Sequence, residues 1–261
     1  MIEMFLCSYF AGAATLFEDY ARQNVRAKEV LFIPTAANVE EYRDYVDEAK
    51  EAFAKMGFEV QILDVSKASE AEAKAKIGAA QVLYVSGGNT FYLLRELNKK
   101  GLATLIASRV RSGALIYVGE SAGAMIAAPS VEYASAMDDA GDYGAGAQTG
   151  LDLVKFYPVP HYGEEPFVQS AAEILKAYGG KLNLAPINNA EAIAVHGDKF
   201  EIFKSVCMKL KTYRHSTVCS SKATKRSKST PINLTLDKPS MSSETMSRNT
   251  PSKTTPSCES S

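Results

Sequence analysis

Ser121 lies in Gly119-Glu120-Ser121-Ala122-Gly123, a G-x-S-x-G spacing, in a chain whose imidazoles are limited to His161, His196 and His215. That spacing suits a nucleophile held on a tight strand-to-helix turn, because a side chain at either glycine would strike the adjacent strand or helix. The context agrees, since the apolar run Ala114-Leu115-Ile116-Tyr117-Val118 precedes the motif and a helix-forming run follows it. The start of that helix would also offer unpaired backbone N–H groups to a developing oxyanion. The chemistry implied is attack of a serine hydroxyl on an acyl carbon.

Such a serine needs a base. His215 falls in a polar tail and His196 in a late hairpin strand, where a structural role suffices. This leaves His161, in Pro158-Val159-Pro160-His161-Tyr162-Gly163, at the end of a strand. The base in turn needs an acid that orients its ring and stabilises the imidazolium. Glu132, Asp138, Asp139, Asp142 and Asp152 lie between the serine and the histidine, and the residues alone leave the choice open. A glycine pair, Gly87-Gly88, follows another strand and precedes a helix that Asn89 or Thr90 can cap. It reads either as a tight turn or as a backbone N–H donor held beside Ser121.

The elements that would position these groups alternate along the chain. Met4–Ser8, Val30–Pro34, Phe58–Leu63, Val82–Ser86 and 114–119 read as strands. Between them, 40–56 places Tyr42, Val46, Ala49 and Phe53 on one helical stripe, and 68–77 and 91–111 are helical, the latter broken at Gly101. Further on, 153–160 reads as a strand running into His161, 165–178 as a helix, and 192–196 with 200–203 as a hairpin across Gly197-Asp198. This order predicts an α/β fold, an open, mostly parallel sheet with helices on both faces and functional loops at the carboxyl ends of the strands.

Composition narrows the function classes. The net charge of −1 divides into about −8 for residues 1–204 and +7 for 205–261. An acidic body argues against nucleic-acid binding, which needs a basic face. No apolar run reaches the roughly 18 residues of a membrane span, and Met1–Phe10 carries Glu3 and lacks the basic start of a targeting segment. The four cysteines, Cys7, Cys207, Cys219 and Cys258, show no C-x-x-C pair. A reduced, cytoplasmic protein without metal or other cofactor is expected, with a homodimer as the default assembly. Residues 1–204 form the expected domain. The 57 residues from Ser205 hold 23 Ser and Thr and one aromatic, Tyr213, a composition expected to remain disordered.

Three motifs taken together, Gly87-Gly88-Asn89-Thr90-Phe91, Gly119-Glu120-Ser121-Ala122-Gly123-Ala124 and Pro160-His161-Tyr162, resemble the S51 peptidases, the family of peptidase E and cyanophycinase. The resemblance covers most of residues 1–204 and implies a fold related to class I glutamine amidotransferases. It implies a serine peptidase acting on small peptides, with Ser121 as nucleophile, His161 as base, and N–H groups of Gly88 and Ala122 as the oxyanion hole. It further implies an acid between serine and histidine. Asp138 is the choice and Asp139 the reserve, because the family segment Asn-Asp-Met-Pro aligns with Ala136-Met137-Asp138-Asp139 only after a shift of one or two residues. Asn89, Thr90, Tyr162 and Glu164 are the expected substrate contacts.

Peptidase E holds an N-terminal aspartate with basic residues after its histidine, whereas 162–172 here contains Glu164 and Glu165 and no Arg or Lys. If that acidic pair faces the site, it would favour a cationic group over aspartate; the alternative is two solvated glutamates opening a helix. Two other functions share parts of the pattern. An α/β-hydrolase esterase shares G-x-S-x-G, but the 40 residues from Ser121 to His161 leave little room for its later strands. A non-catalytic metabolite-binding module of the same fold would need neither base nor acid.

Overall fold

Alternate residues of the inner strands carry apolar side chains to opposite faces, the pattern of strands buried on both sides. In β1 (Glu3–Cys7), β2 (Glu29–Ile33), β4 (Val82–Val85) and β5 (Ile116–Glu120), one face presents Met4, Leu6, Leu31, Ile33, Leu83, Val85 and Tyr117. The other presents Phe5, Cys7, Val30, Phe32, Val82, Tyr84 and Val118. Helices α3 (Glu70–Ala79), α4 (Thr90–Lys99) and α5 (Leu102–Arg111) cover the first face, and α1 (Phe10–Asn24) and α2 (Asp44–Lys55) the second. The second face is aromatic, with Phe10 stacked on Phe53 at 4.4 Å between ring centroids.

The computed structural model describes residues 1–143, 148–207 and 221–226. With β3 (Glu59–Ile62), β8 (Glu191–His196), β9 (Lys199–Cys207) and β10 (Ser221–Arg226), the main sheet has the order β10-β9-β8-β1-β5-β4-β2-β3. The neighbours from β1 to β3 pair parallel, and β8, β9 and β10 extend the sheet antiparallel. From β1 the chain passes to β2 and β3 and returns through β4 to β5, which lies beside β1. The segment after β1 enters α1 on one face, and that after β5 enters α6 (Ala122–Met125) on the other. The crevice where such a sheet reverses direction is where this architecture binds ligands.

A small parallel pair, β6 (Tyr157–Val159) and β7 (Leu184–Pro186), and α7 (Val168–Tyr178) complete the described elements. Local chemistry sets several boundaries. Ser69 caps α3, its Oγ accepting from Glu72 N–H at 3.1 Å. Gly101, at φ 63°, separates α4 from α5 as its position predicts. The expected strand 153–160 is confined to 157–159, and the expected helix from 165 begins at 168 because Glu164–Phe167 form a turn closed by Phe167 N–H to Glu164 C=O. Helix α1 adds to the elements read from sequence. The expected end of the domain at 204 is passed, since β9 runs to Cys207 and β10 pairs with it. The expectation of disorder for 208–220 and 227–261 lies outside the described residues. No helix among the described residues is long and apolar enough to cross a membrane.

Candidate active site

Ser121 follows the last residue of β5 and precedes α6 with φ 47° and ψ −108°, a backbone conformation rare for a residue with a side chain. The surroundings force it. Ser121 N–H donates to Cys7 C=O at 2.9 Å, and its own C=O accepts from Ala124 and Met125 N–H, both at 2.9 Å. A Cβ added at Gly119 would lie 2.5 Å from Gly123 O, and one at Gly123 would lie 2.2 Å from Val85 O. Both glycines of the motif are therefore required by close packing, and the strain they permit holds the serine out of the strand.

His161 follows β6 in a turn that is itself strained, at φ 57°. Its N–H donates to Ser8 Oγ at 3.0 Å, and Ser8 Oγ–H donates to Ile187 C=O at 2.9 Å, so the end of β1 and the segment after β7 hold the loop. The ring stacks on Phe167 at 4.6 Å. Its Nε2 is 2.9 Å from Ser121 Oγ and its Nδ1 is 2.8 Å from Asn189 Oδ1. An amide oxygen only accepts, so the proton sits on Nδ1 and Nε2 presents its lone pair to the serine hydroxyl. Burial lowers the pKa of His161, partly opposed by the Asn189 hydrogen bond and by Glu164, which keeps the ring in its proton-accepting form.

The ring partner thus differs from the expected acid. Asp138 Oδ2 instead accepts from Thr90 N–H at 2.9 Å, serving the start of α4, and Asp139 Oδ1 accepts from Gly141 N–H at 2.9 Å. Asn189 escapes a search between serine and histidine because it follows His161 by 28 residues, in the β7–β8 connection. Antiparallel pairing of β8 with β1 returns that connection to the end of β1. His196 has a structural partner, its Nδ1 lying 2.5 Å from Glu3 Oε2, and His215 lies outside the described residues.

The Gly87-Gly88 turn lies against the serine, where a Cβ at Gly87 would meet Ser121 Cβ at 3.2 Å. Gly88, at φ 124°, passes so close to Ala36 that a Cβ there would sit 2.3 Å from its carbonyl. Asn89 borders the cavity but is occupied in organising it, its Oδ1 capping α4 at Tyr92 N–H and its Nδ2 donating to Asp139 C=O, each at 2.9 Å. Thr90 is buried with its hydroxyl toward Met125 Sδ. The cavity lining contains Glu165 rather than Tyr162 or Glu164, although Glu164 lies near enough to His161 to favour its charged form.

Sequence reasoning also passed over Glu120. Its carboxyl is buried beneath the turn, with Oε1 accepting from Phe10 N–H at 2.7 Å and Oε2 from the Tyr84 hydroxyl at 2.5 Å and from Gly87 N–H at 3.4 Å. Burial pushes its pKa up to about 7. A charged residue closing the apolar strand Ile116-Tyr117-Val118 was the available signal. Among the described residues no cluster of three His, Cys, Asp or Glu is arranged to hold a metal ion.

The family model of peptidase family S51 matches residues 6–203. An uncharacterized peptidase of Pasteurella multocida (strain Pm70) is 45% identical over 204 residues, covering 76% of this chain and 95% of that protein. Peptidase E of Salmonella typhimurium is 35% identical over 135 residues, 52% of this chain and 56% of that protein. Among solved structures, a candidate peptidase E protein from Listeria monocytogenes EGD-e superposes with a TM-score of 0.73 at 36% identity, covering 78% of this chain and 98% of the other.

Proposed function

The chain belongs to peptidase family S51 and is a serine-type peptidase, and from that premise we propose that it hydrolyses small peptides through Ser121, His161 and Asn189. The observation that carries the reading is the unbroken relay Asn189 Oδ1, His161 Nδ1, His161 Nε2, Ser121 Oγ, with steps of 2.8 and 2.9 Å. Ser121 Oγ attacks the peptide carbonyl as its proton passes to Nε2. His161 then returns that proton to the departing amine, leaving an acyl-enzyme that water cleaves with the histidine again as base. The oxyanion is received by the N–H groups of Gly88 and Ala122, a role that the close approach of the Gly87-Gly88 turn to Ser121 supports.

Asn189 does for the ring part of what a carboxylate would do. Its amide oxygen selects the productive tautomer and orients the imidazole, as asparagine does in Cys-His-Asn peptidases, but it brings no full charge to the imidazolium. Asn189→Ala is therefore expected to lower kcat by roughly 10²-fold with little change in KM. A KM increase with kcat unchanged would instead assign Asn189 to substrate binding.

The test of the reading is labelling of Ser121 by a fluorophosphonate, lost in Ser121→Ala and much reduced in His161→Ala. An unlabelled, folded wild-type protein would overturn it. The pH profile supplies a second check. The base must be neutral, so kcat/KM falls as pH drops through the His161 pKa, and burial places that acid limb below the ordinary imidazole value of 6.5. Asn189→Asp sets a carboxylate against Nδ1, favours the imidazolium and moves the limb to higher pH. A limb that stays in place belongs to another group.

A further inference from the structure

The cavity of about 770 Å³ that contains Ser121 and His161 has a one-sided charge. Its described lining includes Glu40, Glu48, Asp138, Asp139 and Glu165 beside the buried Glu120, and neither lysine nor arginine. Nearby cations are held outside it. Arg95 pairs with Glu96 at 2.9 Å and lies over the Tyr143 ring at 4.5 Å, and Arg43 is exposed beyond the lining. Such a wall repels a carboxylate side chain in a substrate and attracts a cation, the more so where water is partly excluded.

Aromatic rings share the wall with the acids. Tyr9, Tyr42, Tyr45, Tyr143 and Phe167 all border the cavity. Flat rings with negative faces, interleaved with carboxylates, provide a setting for an ammonium or guanidinium group. A second, independent observation concerns Tyr45. Its hydroxyl oxygen is buried and has no hydrogen-bond partner among the described residues, which is uncommon for a buried polar atom. Burial pushes its pKa upward, Glu40, Glu120 and Asp138 add to the rise and Arg43 opposes it, so negative groups predominate around the unmet hydroxyl. A cation bearing several N–H donors, entering the cavity along the Tyr45 ring, would bring those donors to the carboxylates of the wall.

The same group of residues indicates which part of a peptide they meet. The Tyr45 ring lies over the turn, 3.5 Å from where a Gly87 Cβ would be, and Asp138 is tied to Thr90 N–H at 2.9 Å, so both flank the 87–90 turn. His161 comes from a different segment, the β6–α7 connection, and the base must face the departing amine. Residues at the 87–90 turn therefore meet the acyl portion, the N-terminal residue of a small substrate. One carboxylate suffices for the α-ammonium of that residue, and the remainder exceed this need.

We infer that this peptidase selects small peptides whose N-terminal residue is arginine or lysine, its side chain lying along Tyr45 between Glu40 and Asp138. The inference rests on the assignment of Ser121 as the acyl acceptor, and its test separates the two. The full chain is assayed for release of leucine from Arg-Leu, Lys-Leu, Ala-Leu and Asp-Leu. The expected kcat/KM for Arg-Leu and Lys-Leu exceeds that for Ala-Leu by about tenfold or more, with Asp-Leu slowest. Glu40→Gln lowers the Arg-Leu to Ala-Leu ratio about threefold or more, as does NaCl at about 0.5 M.

Asp-Leu cleaved as fast as Arg-Leu, with all cleavage lost in Ser121→Ala, overturns the cation preference and leaves the peptidase reading intact. Calorimetry of Arg-Leu, Ala-Leu and Asp-Leu on Ser121→Ala measures the preference without turnover. Arg-Leu binding no tighter than Ala-Leu overturns the inference. Tighter Arg-Leu binding with no cleavage by the wild-type protein upholds the cation site and counts against peptide hydrolysis.

Discussion

Replacing Ser121 with alanine is expected to reduce peptide turnover by roughly 10⁵- to 10⁶-fold while leaving the unfolding temperature near that of the wild type. The large kinetic effect follows from geometry. His161 Nε2 has Ser121 Oγ as its partner at 2.9 Å, and without the hydroxyl no acyl-enzyme forms. The small stability effect follows from what is removed, one hydroxyl of a half-buried residue. Backbone strain stays in the alanine variant, because alanine at φ 47° is as uncomfortable as serine. Ser121→Gly separates the two properties, being equally inactive but more stable than Ser121→Ala by about 1 kcal/mol as the strain relaxes. Steady-state kinetics and thermal unfolding of the three proteins check this. Glycine and alanine variants of equal stability would show that the turn stores no strain at Ser121.

Ser121 and His161, which the fold brings within 2.9 Å, were legible in sequence because their signals are local. The glycines around Ser121 are demanded by Gly123 O and Val85 O, atoms within the same strand-turn-helix unit and the adjoining strand, so the motif reports its own geometry. Short continuous apolar runs likewise revealed β1, β2, β4 and β5, since both faces of each are covered. Asn189 was not legible, because its position beside His161 depends on β8 pairing antiparallel with β1, a contact between distant segments. Asp138 misled for a related reason. It lies in the interval where an acid was sought, but Thr90 N–H at the start of α4 binds its carboxylate. Helix α1 was passed over although its pattern is amphipathic: Phe10, Ala13, Leu16, Phe17, Tyr20 and Ala21 face the core, and Thr15, Glu18, Asp19 and Arg22 form the opposing polar stripe.

Glu120 is expected to produce the largest stability effect. Glu120→Ala leaves Phe10 N–H, the Tyr84 hydroxyl and Gly87 N–H facing the space its carboxyl filled, at a cost of about 3 to 5 kcal/mol. Glu120→Gln keeps an acceptor for Phe10 but turns an amide donor toward Tyr84 or Gly87, and should cost less. The charge adds a pH signature. Burial raises the Glu120 pKa from 4.5 to about 7, so between those values the folded state binds the proton that the unfolded state has released. Stability then falls as pH rises through that window. The contribution of this group is fully present below pH 4.5 and is lost above about pH 7, roughly 3 kcal/mol in all. The stability of the wild type relative to Glu120→Gln should therefore decline from pH 4.5 to 8, by urea unfolding at each pH. A difference that stays constant across that range would mean that Glu120 is ionised throughout. Because Gly87 N–H is a partner of this carboxyl and the turn beside it is the one proposed to supply an oxyanion donor, a kcat change in Glu120→Gln with KM unaltered would tie the buried acid to the placement of that turn.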